Sequence, residues 1–341
     1  MQGGGYFYCD MQMNKNIKIF VNYFLGPLLF AWLSYSIYRQ IIKQPQLEES
    51  WLLIVQSFQS YKILYLFLAV LLIPVNWGLE SWKWMISVRT FYPVKFWQAF
   101  KAVLSGVSFS VTMPNRVGEY LGRIMYLPEG NRLKTISVTL VGSFAQLLIT
   151  ISVGTTGLLI MKSPLVNEFP ELKLWYQFVV YGLIILVCIL LLIYFNVAGT
   201  VGLFNKWIKN RRYIYLVEAL QKFHTRLLIR MLLISFLRYL IFIIQYVLVF
   251  YLFEVNVAAD TIARVMSVVF LAMAIIPSIA VVEVWLRGEI SIKLMGLFST
   301  NTLGIGFTSV TVWFINLILP AIAGSLLILS LRVFKNENDS L

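Results

Sequence analysis

Of 341 residues, 60% are hydrophobic and only 13% are charged, against about 25% charged in an ordinary soluble domain. With a mean hydropathy of +0.80 and apolar runs from end to end, the chain reads as an all-α polytopic membrane protein; a β-barrel would show short alternating segments instead. The net charge of +13 points to a cytoplasmic face and not to nucleic acid, and one His with two isolated Cys, Cys9 and Cys188, argues against zinc sites and other multi-histidine mechanisms.

The elements follow from apolar runs of about 20 residues, the length of a spanning helix. No small-residue cleavage site follows the apolar run from Ile17, so no cleaved signal peptide is expected. "MNKNIK" from Met13 is a more natural start than Met1. Spans are expected at 17–38 and at 64–84, the second kinked near Pro74. Region 96–128 is too polar for one plain span and reads as a broken helix. Further spans are expected at 133–161 and 174–195, and Cys188 reads there as a packing residue. The basic stretch 196–226 contains "NKWIKNRRYIYLVEALQKFHTR" and resembles an interfacial helix on anionic lipid, with Trp207, Tyr213 and Tyr215 as anchors. A span at 227–253 precedes a second interrupted region at 258–298, broken at Pro277, and a last span at 304–331. The expectation is therefore about six full spans plus two re-entrant, broken-helix hairpins in a single membrane domain, 1–341.

Charge sets the orientation. With both termini cytoplasmic and each hairpin returning to its own side, most of the 28 basic residues lie inside, Lys83 and Arg123 among them. The outer loops "QPQLEES" and "NEFPELK" lean acidic, as the positive-inside rule requires. The first hairpin then opens inward and the second outward. That is an inverted repeat of about 62–161 and 227–332, joined by a basic cytoplasmic connector at 196–226.

The chemistry concentrates at the breaks. Pro114 pushes Met113 out of the helical region and suits the first turn of a new helix. Asn115 caps it, and the free amides and dipole attract anions, phosphate included. Arg116 adds a fixed charge, and Glu119 and Arg123, four apart, share a face. After Pro277, Glu283 and Arg287 repeat that spacing, as do Glu289 and Lys293. Arg238 lies deep in its span, with Glu283 or a lipid phosphate as its expected partner. Asn115, Arg116, Glu119, Arg123, Arg238, Glu283 and Arg287 form the candidate substrate-binding set, with Pro114, Gly118 and Pro277 as structural breaks. The competing reading is that these charges solvate a cytoplasmic loop or fix helix packing. Glu80 is expected at the interface, near the inner end of its span. Gln146, Gln245 and Asn316 read as interhelical glue.

At "TMPNRVGEYLGR" the chain resembles the lysylphosphatidylglycerol synthase transmembrane-region family, the flippase-like integral membrane proteins. Thr112, Pro114, Arg116, Gly118, Glu119 and Arg123 match its first signature, with Met113 inserted and Asn115 where Gly is usual. Of the second signature, "PSIAVVEVWLRG" keeps Pro277 and Glu283 but not the glycines. In the multiple peptide resistance factors, the resemblance implies that this region flips an aminoacylated phospholipid made by a separate soluble domain. No room for that domain follows Leu331, so no lysyl transferase is expected.

The expected function is thus flippase-like translocation of a phospholipid or lipid-linked substrate across the bacterial inner membrane, with membrane lipids as partners. An anionic phospholipid or lipid-linked phosphate is the expected ligand. No enzyme activity, cofactor, metal or nucleic acid is expected, and homo-oligomerisation is left open. The alternatives are a non-catalytic membrane partner of a lipid- or glycan-modifying system and an intramembrane lipid-modifying enzyme. Against the enzyme stands the lack of an Asp-rich metal motif or a nucleophile constellation.

Overall fold

The computed structural model describes residue 35 and residues 47–112, 117–197, 199, 220, 223–276 and 280–338. All of the expected span at 17–38 but residue 35, nearly all of the connector at 196–226, and Pro114, Asn115, Arg116 and Pro277 lie outside these.

Helix α1 (Leu47–Gln59) leads into α2 (Ile63–Val88), which runs through Pro74. Next come α3 (Phe96–Thr112) and the short α4 (Gly118–Ile124), then α5 (Arg132–Ile160), α6 (Lys162–Glu168) and α7 (Lys173–Phe195). Helix α8 (Thr225–Leu252) opens the second half, followed by α9 (Ala259–Ile275) and α10 (Ala280–Met295). Helix α11 (Thr302–Trp313) passes through a π-turn at Phe314–Ile318 into α12 (Leu319–Asn338).

Five helical stretches among the described residues are long and apolar enough to cross a membrane: α2, α5, α7, α8 and Thr302–Ile328. The two interrupted regions do form helix pairs. Helices α3 and α9 have 17 residues each. At about 1.5 Å per residue each falls short of a hydrocarbon core about 30 Å thick.

The packing of the two halves is matched. Helices α2 and α8 run antiparallel in close contact: Gln245 reaches the Ala69 carbonyl at one end, and Ser87 meets Met231 at the other. Helix α3 packs on α12 as α9 packs on α5, and α4 folds back on α3 as α10 does on α9. Glycine makes the tightest of these contacts. A Cβ at Gly118 would lie 2.2 Å from the backbone of Phe109, and one at Gly122 2.2 Å from the Gly106 nitrogen. Small residues four apart let two backbones approach in this way.

Two apolar clusters fill the interior. One gathers Trp84, Val103, Leu148 and Met231; the other gathers Tyr246, Phe250, Ile262 and Met266. Helix α7 lies outside both for most of its length, and exposes Leu174, Phe178 and Leu192, the surface that suits acyl chains. Cys188 is exposed on it instead of packed inside, because an all-apolar helix at the bundle edge buries only one narrow stripe.

Candidate functional site

The site starts from a polar stripe on α2. Asn76, Glu80, Lys83 and Ser87 recur at three- and four-residue spacing, so they share one face, and all four are buried. That face looks toward α8 and α5. A carboxylate cannot stay ionised there without paired charge. Glu80 has three partners: Lys83 at 2.8 Å, Arg123 at 3.0 Å, and Arg238. Each comes from a different place: α2 itself, the first hairpin, and the second half of the chain.

The partners are held in turn. Lys83 also donates to the Gly142 carbonyl at 3.2 Å and to Ser235 Oγ at 3.3 Å. Arg123 donates to Glu119 at 3.2 Å. Arg238 donates through Nε to Asn76 at 3.0 Å and through Nη1 to Gln146 at 3.4 Å, and its guanidinium lies 5.6 Å from the Trp77 ring centroid. From Asn76 the chain of amides continues to Asn316 (3.4 Å), Gln245 (3.0 Å) and the Ala69 carbonyl (2.9 Å). Asn316 sits on the π-turn, a local widening that often marks functional sites.

A second pole faces this one. Glu283 and Arg287 of α10 form an ion pair. Arg287 also donates to Tyr246 Oη at 3.4 Å and lies 5.8 Å from the Phe270 ring centroid. Both poles line one cavity of about 670 Å³, walled by residues from α2 to α5 and from α8 to the π-turn. Its rim differs from its floor. Leu147, Ile275 and Ile276 line it and are exposed. Leu147 sits near the middle of α5 and Ile275 ends α9; Ser143 and Ala274 are exposed beside them, so the mouth is mostly apolar.

Several sequence expectations change here. Glu80, expected at the interface near the inner end of its span, is buried inside the bundle as the hub of the network, because α8 and α4 close over it. Lys83 and Arg123, assigned to the cytoplasmic side, are each 2% exposed. They neutralise Glu80 instead of solvating a loop. Arg238 has Glu80 as an ion-pair partner, where the sequence pointed to Glu283 or a lipid phosphate; Glu283 pairs with Arg287. Glu119–Arg123 and Glu283–Arg287 pair as their spacing suggested, and both pairs reach the cavity. Glu289 and Lys293 also pair, at 3.1 Å. Gly118 opens α4. Gln146, Gln245 and Asn316 do bridge helices.

The sequence reading missed Asn76, Trp77, Glu80, Lys83 and Trp313 as site residues. The 76–80–83–87 stripe was the available signal for most of them. Among the described residues, no group of three or more His, Cys, Asp or Glu could hold a metal ion.

The family described as lysylphosphatidylglycerol synthase TM region matches residues 26–284. No curated protein and no solved structure matches the chain.

Proposed function

The chain belongs to the lysylphosphatidylglycerol synthase transmembrane-region family, a family of multi-pass membrane proteins, and from that premise we propose a flippase-like carrier that moves a phospholipid or lipid-linked substrate across the bacterial inner membrane. One observation carries the reading: a cavity with buried charges in its wall and a mostly apolar exposed rim, which in this reading opens on the side of the bundle toward lipid. A water-soluble solute has no use for such a rim. An amphiphile does, because its headgroup can occupy the floor while its acyl chains stay in the bilayer. The volume suits a headgroup, since ligand pockets run to about 300–1,000 Å³.

On the floor, Lys83 and Arg238 are the cations a phosphate would meet. They stand against Glu80, so an arriving anion exchanges one counter-charge for another without leaving either cation bare. The matched packing of the halves supports an inverted repeat with two re-entrant hairpins and alternating exposure of the cavity to the two leaflets, and the distribution of basic residues along the sequence supports cytoplasmic termini. The chain makes and breaks no covalent bond in this scheme.

The test is translocation of a fluorescent phospholipid in proteoliposomes. Wild type should exceed protein-free liposomes, and Arg238→Gln should slow translocation about tenfold to a hundredfold. That is the worth of one charge-assisted hydrogen bond of about 1.5–3 kcal/mol. A wild-type rate equal to the liposome background for every lipid tried would overturn the proposal. Reproducible co-purification with a lipid-modifying enzyme would then favour a partner role.

A further inference from the structure

Resting on the lipid-carrying reading, a narrower question is which side chains seat the headgroup inside the cavity. The indoles of the wall answer it.

An indole N–H donates one hydrogen bond and accepts none, so a buried Trp usually has an acceptor. Trp84 follows that rule. It is 2% exposed on α2, does not line the cavity, and donates through Nε1 to Thr139 Oγ1 at 3.1 Å. Trp77, earlier on the same helix, does not follow it. Its Nε1 is buried without an acceptor among the described residues, as is Trp313 Nε1 at the end of α11, and both side chains line the cavity. Buried N–H groups left so are rare, and each calls for a missing acceptor.

The two indoles belong to one region of the chamber. Asn76 and Asn316 meet at 3.4 Å and tie α2 to the π-turn. Trp77 directly follows the first, and Trp313 lies within a turn of the second. The Arg238 guanidinium lies 5.6 Å from the Trp77 ring centroid, so an anionic oxygen beside this indole also gains from a nearby cation. The wall holds other polar groups. Tyr239 Oη is buried there without a partner, and Glu119 lines it as well. A hydroxyl accepts as readily as it donates, and a carboxylate accepts. The demand for an acceptor is therefore local to the indoles and leaves the rest of the headgroup open.

We propose that Trp77 Nε1 and Trp313 Nε1 form the seat of the lipid phosphate, one indole from each half of the chain. A phosphate offers several acceptor oxygens, so a single group can serve both donors. Both nitrogens are shielded in this conformation, so seating the phosphate goes with a turn of each ring toward the chamber that it already lines. The neutral N–H groups fix where the phosphate sits, while Lys83 and Arg238 supply charge.

The experiment uses the full chain purified in detergent. Dioctanoyl-phosphatidylglycerol is the phosphate-bearing probe, and dioctanoylglycerol is the same lipid without phosphate. Binding is read from the rise in thermal midpoint with lipid concentration. Wild type should bind the phosphate lipid about tenfold or more tightly than dioctanoylglycerol. Trp77→Phe and Trp313→Phe keep a ring but lose the N–H, and each should weaken that binding about tenfold, the worth of one hydrogen bond to a charged group. Trp84→Phe makes the same change outside the cavity and should leave the affinity unchanged. Equal weakening in all three variants reduces the effect to lost packing and overturns the seat. Unchanged affinity in both cavity variants overturns it too. In either case, a wild type that binds the phosphate lipid keeps the carrier reading. Tight binding of dioctanoylglycerol, lost in the same two variants, would give the N–H groups to an ester carbonyl and overturn the phosphate assignment. Where a variant fails to fold, the wild type decides: two indole N–H resonances should shift with the phosphate lipid and not with dioctanoylglycerol, and no shift overturns the seat. Wild type that binds neither lipid removes the carrier reading and this inference together.

Discussion

Glu80 lies 43 positions from Arg123 and 158 from Arg238 in the chain, yet it meets both as well as Lys83. Removing its charge would leave three buried cations facing a neutral side chain. Breaking a buried ion pair at one partner costs about 3–5 kcal/mol, so Glu80→Gln should lower the thermal midpoint in detergent sharply. Glu119→Gln should cost about 1 kcal/mol or less, because Glu119 is partly exposed and its partner Arg123 retains Glu80. Equal losses in the two variants would show that the network is not centred on Glu80. The contrast also marks what the sequence could reveal at this scale. Glu119–Arg123 and Glu283–Arg287 were legible because helical spacing of four predicts contact. Glu80 was not, because its decisive partners are fixed only by tertiary packing, and one carboxylate near the end of an apolar run looks interfacial.

Among elements, the spans that fall on described residues were legible to within a few residues, since length and hydropathy decide them: 133–161 was expected and Arg132–Ile160 is observed. The two interruptions were legible as well, from Pro and charge inside apolar surroundings. Their docking was not. Gly118 was read as a break, and the structure shows it pressed on α3 with no room for a side chain. Gly118→Ala should therefore destabilise by about 1–3 kcal/mol, the usual cost of overpacking. Gly182→Ala on α7 meets nothing within 4 Å and should be stabilising by about 0.5–1 kcal/mol, through helix propensity alone. Thermal unfolding of the two variants in the same detergent checks both signs. A tolerated Gly118→Ala would mean that α4 does not lie against α3 as described.

For the whole molecule, sequence reading supplied a plan of two units but no cavity, because a cavity is a relation between elements that no window of residues contains. Helices α2 and α8 pack antiparallel, and α3 on α12 mirrors α9 on α5, which brings both hairpins to one chamber. The chamber's mouth then decides what kind of substrate can use it. Leu147 and Ile276 stand at that mouth from different halves, and both are exposed, so larger side chains there would fill the opening without crowding the core. Leu147→Trp combined with Ile276→Trp should leave the thermal midpoint within about 0.5 kcal/mol of wild type, as substitutions away from packed features do. It should slow lipid translocation about tenfold, equal to a barrier increase of about 1.4 kcal/mol. A substrate that entered from water at an end of the bundle would not pass this mouth, and its transport would be unchanged. Unchanged lipid translocation with Trp at both positions would therefore place the acyl chains elsewhere and remove the side opening from the mechanism.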